Sequence, residues 1–140
     1  MSEGTALIDA IWNKASSDSS LMGKVVQTGT IKKGIFYDRV PEHATMPYIV
    51  YKIPDKTLVQ DFCSYYISSM VYFNIYDTSE SITTICSIKD RLTTVFDRAV
   101  LTYTGKDSIM CLRLTDIDPQ KTEDGWVSTV IYNIAYRASS

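Results

Sequence analysis

The chain has 140 residues, 45% of them hydrophobic and 21% charged, with a formal net charge of −2. That length builds one domain with its own core and is too short for two. Lys and Arg are scattered, so the charge pattern lacks the basic footprint of a protein that grips a phosphate backbone.

The longest apolar runs are too short to cross a bilayer. The N-terminal MSEGTALIDAIW has no basic region followed by an apolar signal core, so neither a membrane role nor export is expected. Cys63, Cys86 and Cys111 make an odd set without a CxxC pair. They indicate reduced thiols in a cytoplasm-like compartment rather than a disulfide framework or a zinc site.

In chain order, the first element is a helix from about Thr5 to Ala15, capped by Thr5, with Leu7, Ile8, Ile11 and Trp12 near one side. Ser16 to Ser20 ends it. Between Leu21 and Lys33 the pattern is weak: Val25 and Val26 allow a short strand, and Gly23, Gly29 and Gly34 punctuate the segment as loop. Pro41, Pro47 and Pro54 then surround a β-rich run, Tyr48 to Ile53, entered just after a proline. Pro54 to Cys63 reads as a connection longer than a tight hairpin needs, and as a contact loop carrying Lys56 and Asp61.

The stretch from Ser64 to Phe96 organises the rest. Its strand places Ile67, Val71, Phe73 and Ile75 on a core face, because successive side chains of a pleated strand alternate. Tyr66, Ser68, Met70, Tyr72, Asn74 and Tyr76 fall on the other face, suited to meeting water or a partner. Thr78, Ser79 and Ser81 offer N-cap hydroxyls, with Glu80 near the positive helix end. The helix that follows carries Ile82, Ile85, Ile88, Leu92, Val95 and Phe96 as its apolar stripe.

Beyond the helix, Ala99 to Tyr103 is a short strand, Gly105 to Ser108 a turn and Ile109 to Asp116 another strand. The connection DPQKTEDG ends in Asp124-Gly125, which is good turn chemistry, and leads into a terminal strand, Trp126 to Tyr136, antiparallel to its predecessor. The expected fold is one α+β domain over residues 1–140, a mostly antiparallel sheet with two main helices packed on one face. The terminal strand is apolar on both sides, through Val127 and Ile131 on one and Val130, Ile134, Tyr132 and Tyr136 on the other. Two helices hardly cover two faces, so another subunit is expected on the second, unless Leu21 to Lys33 folds over it.

No catalytic constellation emerges. His43 stands alone in the loop VPEHATMP, and no Ser or Cys has a nucleophile's neighbourhood. Asp116, Asp118, Glu123 and Asp124 do not have EF-hand spacing, and GxGxxG, P-loop and HExxH motifs are absent, so no enzyme activity, metal or cofactor is expected.

The ordered combination of pieces resembles the small tail-completion, or tail-terminator, proteins of long-tailed bacteriophages and prophages. The matching stretches are IFYDRVPEHATMPYIVY with its Pro-Tyr strand entry, VYFNIYDTS leading into ITTICSIKDRLTTVFD, and the closing RLTDIDPQKTEDGWVSTVIYNIAY. They run from about Ala6 to Tyr136, while Val26 to Lys33 is longer than the family's usual link.

The resemblance implies a virion protein, assembled in the host cytoplasm, whose subunits form a ring, hexameric in the family. Such a ring caps the tail tube and joins it to the head connector, with DNA passing through an acidic lumen without specific binding. On that reading Tyr66, Met70, Tyr72, Tyr76, Tyr132 and Tyr136 contribute subunit contacts. Lys56, Asp61, Lys121, Glu123 and Asp124 lie in loops that meet the tube or the connector. A head-completion or neck role is the near alternative, and a small nucleic-acid- or ligand-binding module using the aromatic face is the distant one.

Overall fold

The computed structural model describes the backbone of residues 3–25, 34–39, 46–60, 65–78, 82–103, 106–123 and 125–137. Within these it describes the side chains of 7–25, 34–39, 46–53, 68–78, 82–99, 101, 111–123 and 125–135. The elements are helices α1 (Glu3–Ser16), α2 (Ser19–Met22) and α3 (Thr83–Phe96), and strands β1 (Ile35–Tyr37), β2 (Tyr48–Gln60), β3 (Tyr65–Asp77), β4 (Val100–Tyr103), β5 (Lys106–Thr122) and β6 (Gly125–Arg137). They form a six-stranded sheet in the order β1-β2-β3-β6-β5-β4, antiparallel except for the β1·β2 pair. This is the expected α+β class, with the helices on one face.

The core lies between that face and the helices. Val71, Phe73 and Ile75 alternate inward from β3, and Val130, Tyr132 and Ile134 from β6, where the register sets Phe73 opposite Val130 and Val71 opposite Tyr132. Leu7, Ile11 and Ala15 of α1 and Ile85, Ile88, Leu92, Val95 and Phe96 of α3 close over them. These spacings of three and four residues are what a helix needs to show one apolar stripe to a sheet. Phe73, Phe96 and Tyr132 form the aromatic centre, with centroid separations of 4.9 Å (Phe73–Phe96), 5.8 Å (Phe73–Tyr132) and 6.1 Å (Phe96–Tyr132). Ring pairs at these distances add about 0.5–1.5 kcal/mol each beyond their buried area.

Several boundaries differ from those read in the sequence. Ile82 is 45% exposed and precedes α3 instead of joining its stripe, and Ser79, Glu80 and Ser81 lie outside the described residues. Val25 is buried in the core but is not in a strand, while the short strand of this region is β1, parallel to β2. The segment after α1 makes α2 in its place, with the Asp18 carboxylate accepting the Leu21 N–H at 2.8 Å. Leu21 and Val25 join the same core as the helices, so the described start of the weakly patterned segment packs on the helix side of the sheet.

The largest difference is strand length. β2 continues through Pro54 to Gln60, so Lys56 stands in a strand instead of a loop. β5 continues through Pro119 to Thr122, which puts Lys121 in a strand too. In both cases the register shifts at the proline, between Lys52 and Asp55 and between Ile117 and Gln120. Bulges absorb the missing N–H, and among the described residues both strand segments lie beside an unpaired margin where that donor is not needed.

Candidate interaction surface

The face opposite the helices is assembled by register alone. β2 contributes Tyr48, Val50 and Lys52, opposite Tyr76, Asn74 and Tyr72 of β3, and the next rank on β6 is Val127, Thr129, Ile131 and Asn133. No described helix covers these residues. Most of their side chains are half-buried by one another: the Tyr48 and Tyr76 rings lie 5.5 Å apart, and Phe36 sits 6.2 Å from Tyr48. Their polar members are paired in place. Thr129 donates to Asn74 Oδ1 at 2.7 Å, and Ser68 donates to Asn133 Oδ1 at 2.6 Å. The result is a flat surface of aromatic and aliphatic groups whose hydrogen bonds run within it.

The expected contact residues divide accordingly. Met70, Tyr72 and Tyr76 lie on this open face, half-buried. Tyr132 does not. It lies on the helix face, fully buried against Phe73 and Phe96, and its hydroxyl donates to Asp97 Oδ1 at 2.7 Å. The terminal strand is apolar on both faces, and only register fixes which side meets the helices. Lys121 and Glu123 are exposed near the end of the β5·β6 hairpin, and Lys121 lies 5.3 Å over the Trp126 ring. Tyr66, Tyr136 and Lys56 have no described side chain, and Asp61 and Asp124 lie outside the described residues.

Sequence reading ended β5 at Asp116 and did not single out its exposed apolar residues. Leu112, Leu114 and Ile117 are 46%, 55% and 40% exposed. Leu112 and Ile117 pair with Asn133 and Thr129, so they extend the open face to its margin, while Leu114 is the unpaired residue of a bulge between Arg113 and Thr115. The alternation of Leu112, Arg113 and Leu114 was a partial signal, but Thr115 and Asp116 break it before Ile117. On the helix side the same segment carries charge: Arg113 bridges Asp97 at 3.2 Å and Asp116 at 3.3 Å, and Lys89 of α3 reaches Asp116 at 3.1 Å and Asp118 at 3.8 Å.

Titratable groups elsewhere serve structure. Burial, then the Asp97 hydrogen bond, pushes the Tyr132 hydroxyl far above its ordinary range, and burial does the same for Tyr51, whose hydroxyl donates to the Ile8 carbonyl at 3.1 Å. The Arg91 hydrogen bonds, then that from Leu21 N–H, hold Asp18 below the usual carboxylate range. Burial pushes the Cys111 thiol to about 12, a value that makes it unreactive at neutral pH. An open groove of about 660 Å³ beside α3 is lined by Lys24, Cys86, Ser87 and Arg91, but Lys24 is spent on Ser87 at 2.9 Å and Arg91 on Asp18. Among the described residues no group of three or more His, Cys, Asp or Glu side chains is placed to hold a metal ion. Among them, too, no helix is long and apolar enough to cross a membrane.

No protein-family model and no curated protein matches the chain. Solved structures do. A chain described as "Virion of native gene transfer agent (GTA) particle" superposes with a TM-score of 0.74 at 11% identity, over 96% of this chain and 95% of that one. The likeness is one of fold.

Proposed function

We propose that the chain is a structural subunit of a phage-like virion, which assembles into a ring on the end of the tail tube and joins the tube to the head connector. The observation that carries this reading is the fold shared, almost end to end, with a chain of a gene transfer agent virion. The uncovered sheet face supports it. Among the described residues, a six-stranded sheet with helices on one side leaves apolar surface uncovered, and self-assembly would bury it. The protein acts through its interfaces and carries no chemistry of its own.

On this reading Met70, Tyr72 and Tyr76, with Ile131 beside them, meet a neighbouring subunit, and the β5·β6 hairpin end with Lys121 and Glu123 meets the tube or the connector. The alternative of a nucleic-acid-binding module is weakened by the open face itself, whose described residues carry Lys52 as their one cation. Electron microscopy of the protein mixed with the tail-tube protein of the same virion tests the role. Rings seated on tube ends support it, and binding to the connector alone moves the protein to the head side.

A further inference from the structure

Among the described residues, both margins of the sheet are only half covered, and on opposite halves. β1 pairs with β2 at Ile49, Val50 and Tyr51 and leaves 52–60 without a neighbour. β4 pairs with β5 as far as Met110, the backbone bonds of Ala99 and Arg98 extend this to Cys111, and 112–122 are left without a neighbour. Open strand edges of this length are templates for another strand.

We infer that the free edge of β5 takes up the free edge of β2 from a second copy of this chain, so that the sheets join head to tail. This rests on the ring reading above and names the contact that would build the ring.

Direction, step and charge support a second copy as the occupant. β2 and β5 are separated by three antiparallel steps and therefore run in opposite directions, so a copy in the same orientation presents its β2 antiparallel to β5. The free part of β5 stands level with Met70 to Asp77 of β3, and the part of β2 beyond its bulge with Tyr65 to Met70. The two free edges thus complement each other like a lap joint, with β4 above the incoming β2 and the incoming β1 below β5.

The centres of the two segments lie six residues apart along β3. At ~3.4 Å per residue and ~4.8 Å per strand, each copy would step by ~20 Å across its four long strands. That slope is roughly 45°, at the upper end of the strand tilts with which sheets close into barrels. A head-to-tail contact closes into a ring when its rotation does.

An exposed carboxylate favours the same pairing. The β5 margin carries Asp116, Asp118 and Glu123 against Arg113, Lys121 and Lys89 of α3, which reaches both aspartates, yet Asp118 keeps a 98% exposed side chain. The β2 margin carries Lys52 and Lys56 against Asp55 alone. The bulge and proline on each margin restrict which strand can add, which disfavours indiscriminate pairing.

Two double variants test the contact, Leu112→Lys with Leu114→Lys on β5, and Lys52→Glu with Lys56→Glu on β2. Circular dichroism and thermal melts check that each still folds. Each alone should stay monomeric, with the association midpoint raised by more than about tenfold. Mixed, they should form a one-to-one dimer and nothing larger, because each supplies the one edge that the other lacks. Hydrogen exchange on the assembled wild type needs no variant and should show slowed amides at 53–60 and 112–118. Wild-type rings that neither double variant disturbs, or exchange unchanged at both segments, overturn the edge pairing and leave the ring reading standing. A wild-type chain that never assembles, alone or with tail-tube protein, overturns both.

Discussion

The hydroxyl of Tyr132 donates to the Asp97 carboxylate at 2.7 Å, joining the middle of β6 to the residue that ends α3. Arg113 of β5 binds the other carboxylate oxygen at 3.2 Å, so three elements meet at one side chain. Tyr132→Phe keeps the ring packing and leaves Asp97 its Arg113 partner. It should cost about 1–2 kcal/mol, read by chemical denaturation.

The same tyrosine makes stability sensitive to alkali. Its folded pKa, like that of Tyr51, is raised above the unfolded value of about 10 by burial first. A raised pKa contributes stability that is fully present below the unfolded value and is lost as pH climbs beyond it. Stability should therefore fall above pH ~10, by up to about 1.4 kcal/mol per pH unit for each tyrosine held protonated. In Tyr132→Phe that fall should be shallower; an unchanged slope would contradict the assignment.

Acid acts through another pair. Asp18 caps α2 and binds Arg91 of α3 through both oxygens, at 3.1 Å and 2.5 Å. Its pKa is lowered, chiefly by those hydrogen bonds, so its contribution is present above the unfolded value and is lost as pH falls through the folded one. Asp18→Ala should cost about 1 kcal/mol at neutral pH from the cap alone, and the loss should shrink as pH falls below the unfolded carboxylate value of about 3.9.

Gly125 opens β6 with φ +141°, and a Cβ there would stand 2.1 Å from the Asp77 carbonyl oxygen. Both the backbone angle and the contact exclude a side chain. Gly125→Ala should destabilise by more than about 2 kcal/mol. The loss should show first as faster amide exchange at the Trp126–Asp77 end of the β3·β6 ladder.

Period made β3 and α3 legible in the sequence. Val71, Phe73 and Ile75 alternate, Ile85, Ile88, Leu92, Val95 and Phe96 recur at helical steps, and both patterns place these side chains in the core. The fold class followed from them. Tyr132 was not legible, because a strand apolar on both faces does not say which side meets the helices. The full lengths of β2 and β5 were hidden for a different reason. Pro54 and Pro119 read as breaks, yet each sits at a bulge on a margin that is unpaired among the described residues, where a strand tolerates proline. Ile117 lies just where the second misreading ended the strand, while Leu112 and Leu114, inside the strand as read, were not recognised as exposed.

On the proposed ring, the open face separates folding from assembly. Tyr72 is half-buried on the side away from the helices, paired across β3·β6 with Ile131, and the core does not depend on its ring. Tyr72→Asp should leave the melting temperature within a few degrees of wild type, consistent with a surface-type change of up to about 1 kcal/mol, and should abolish assembly. Loss of folding in this variant would place the ring of Tyr72 in the core.

Particle mass by light scattering across a concentration series, with and without the tail-tube protein of the same virion, tests the proposed role most directly. A ring-sized species, formed alone or in the presence of the tube, is the predicted result. A chain that stays monomeric at every concentration and ignores the tube would contradict it.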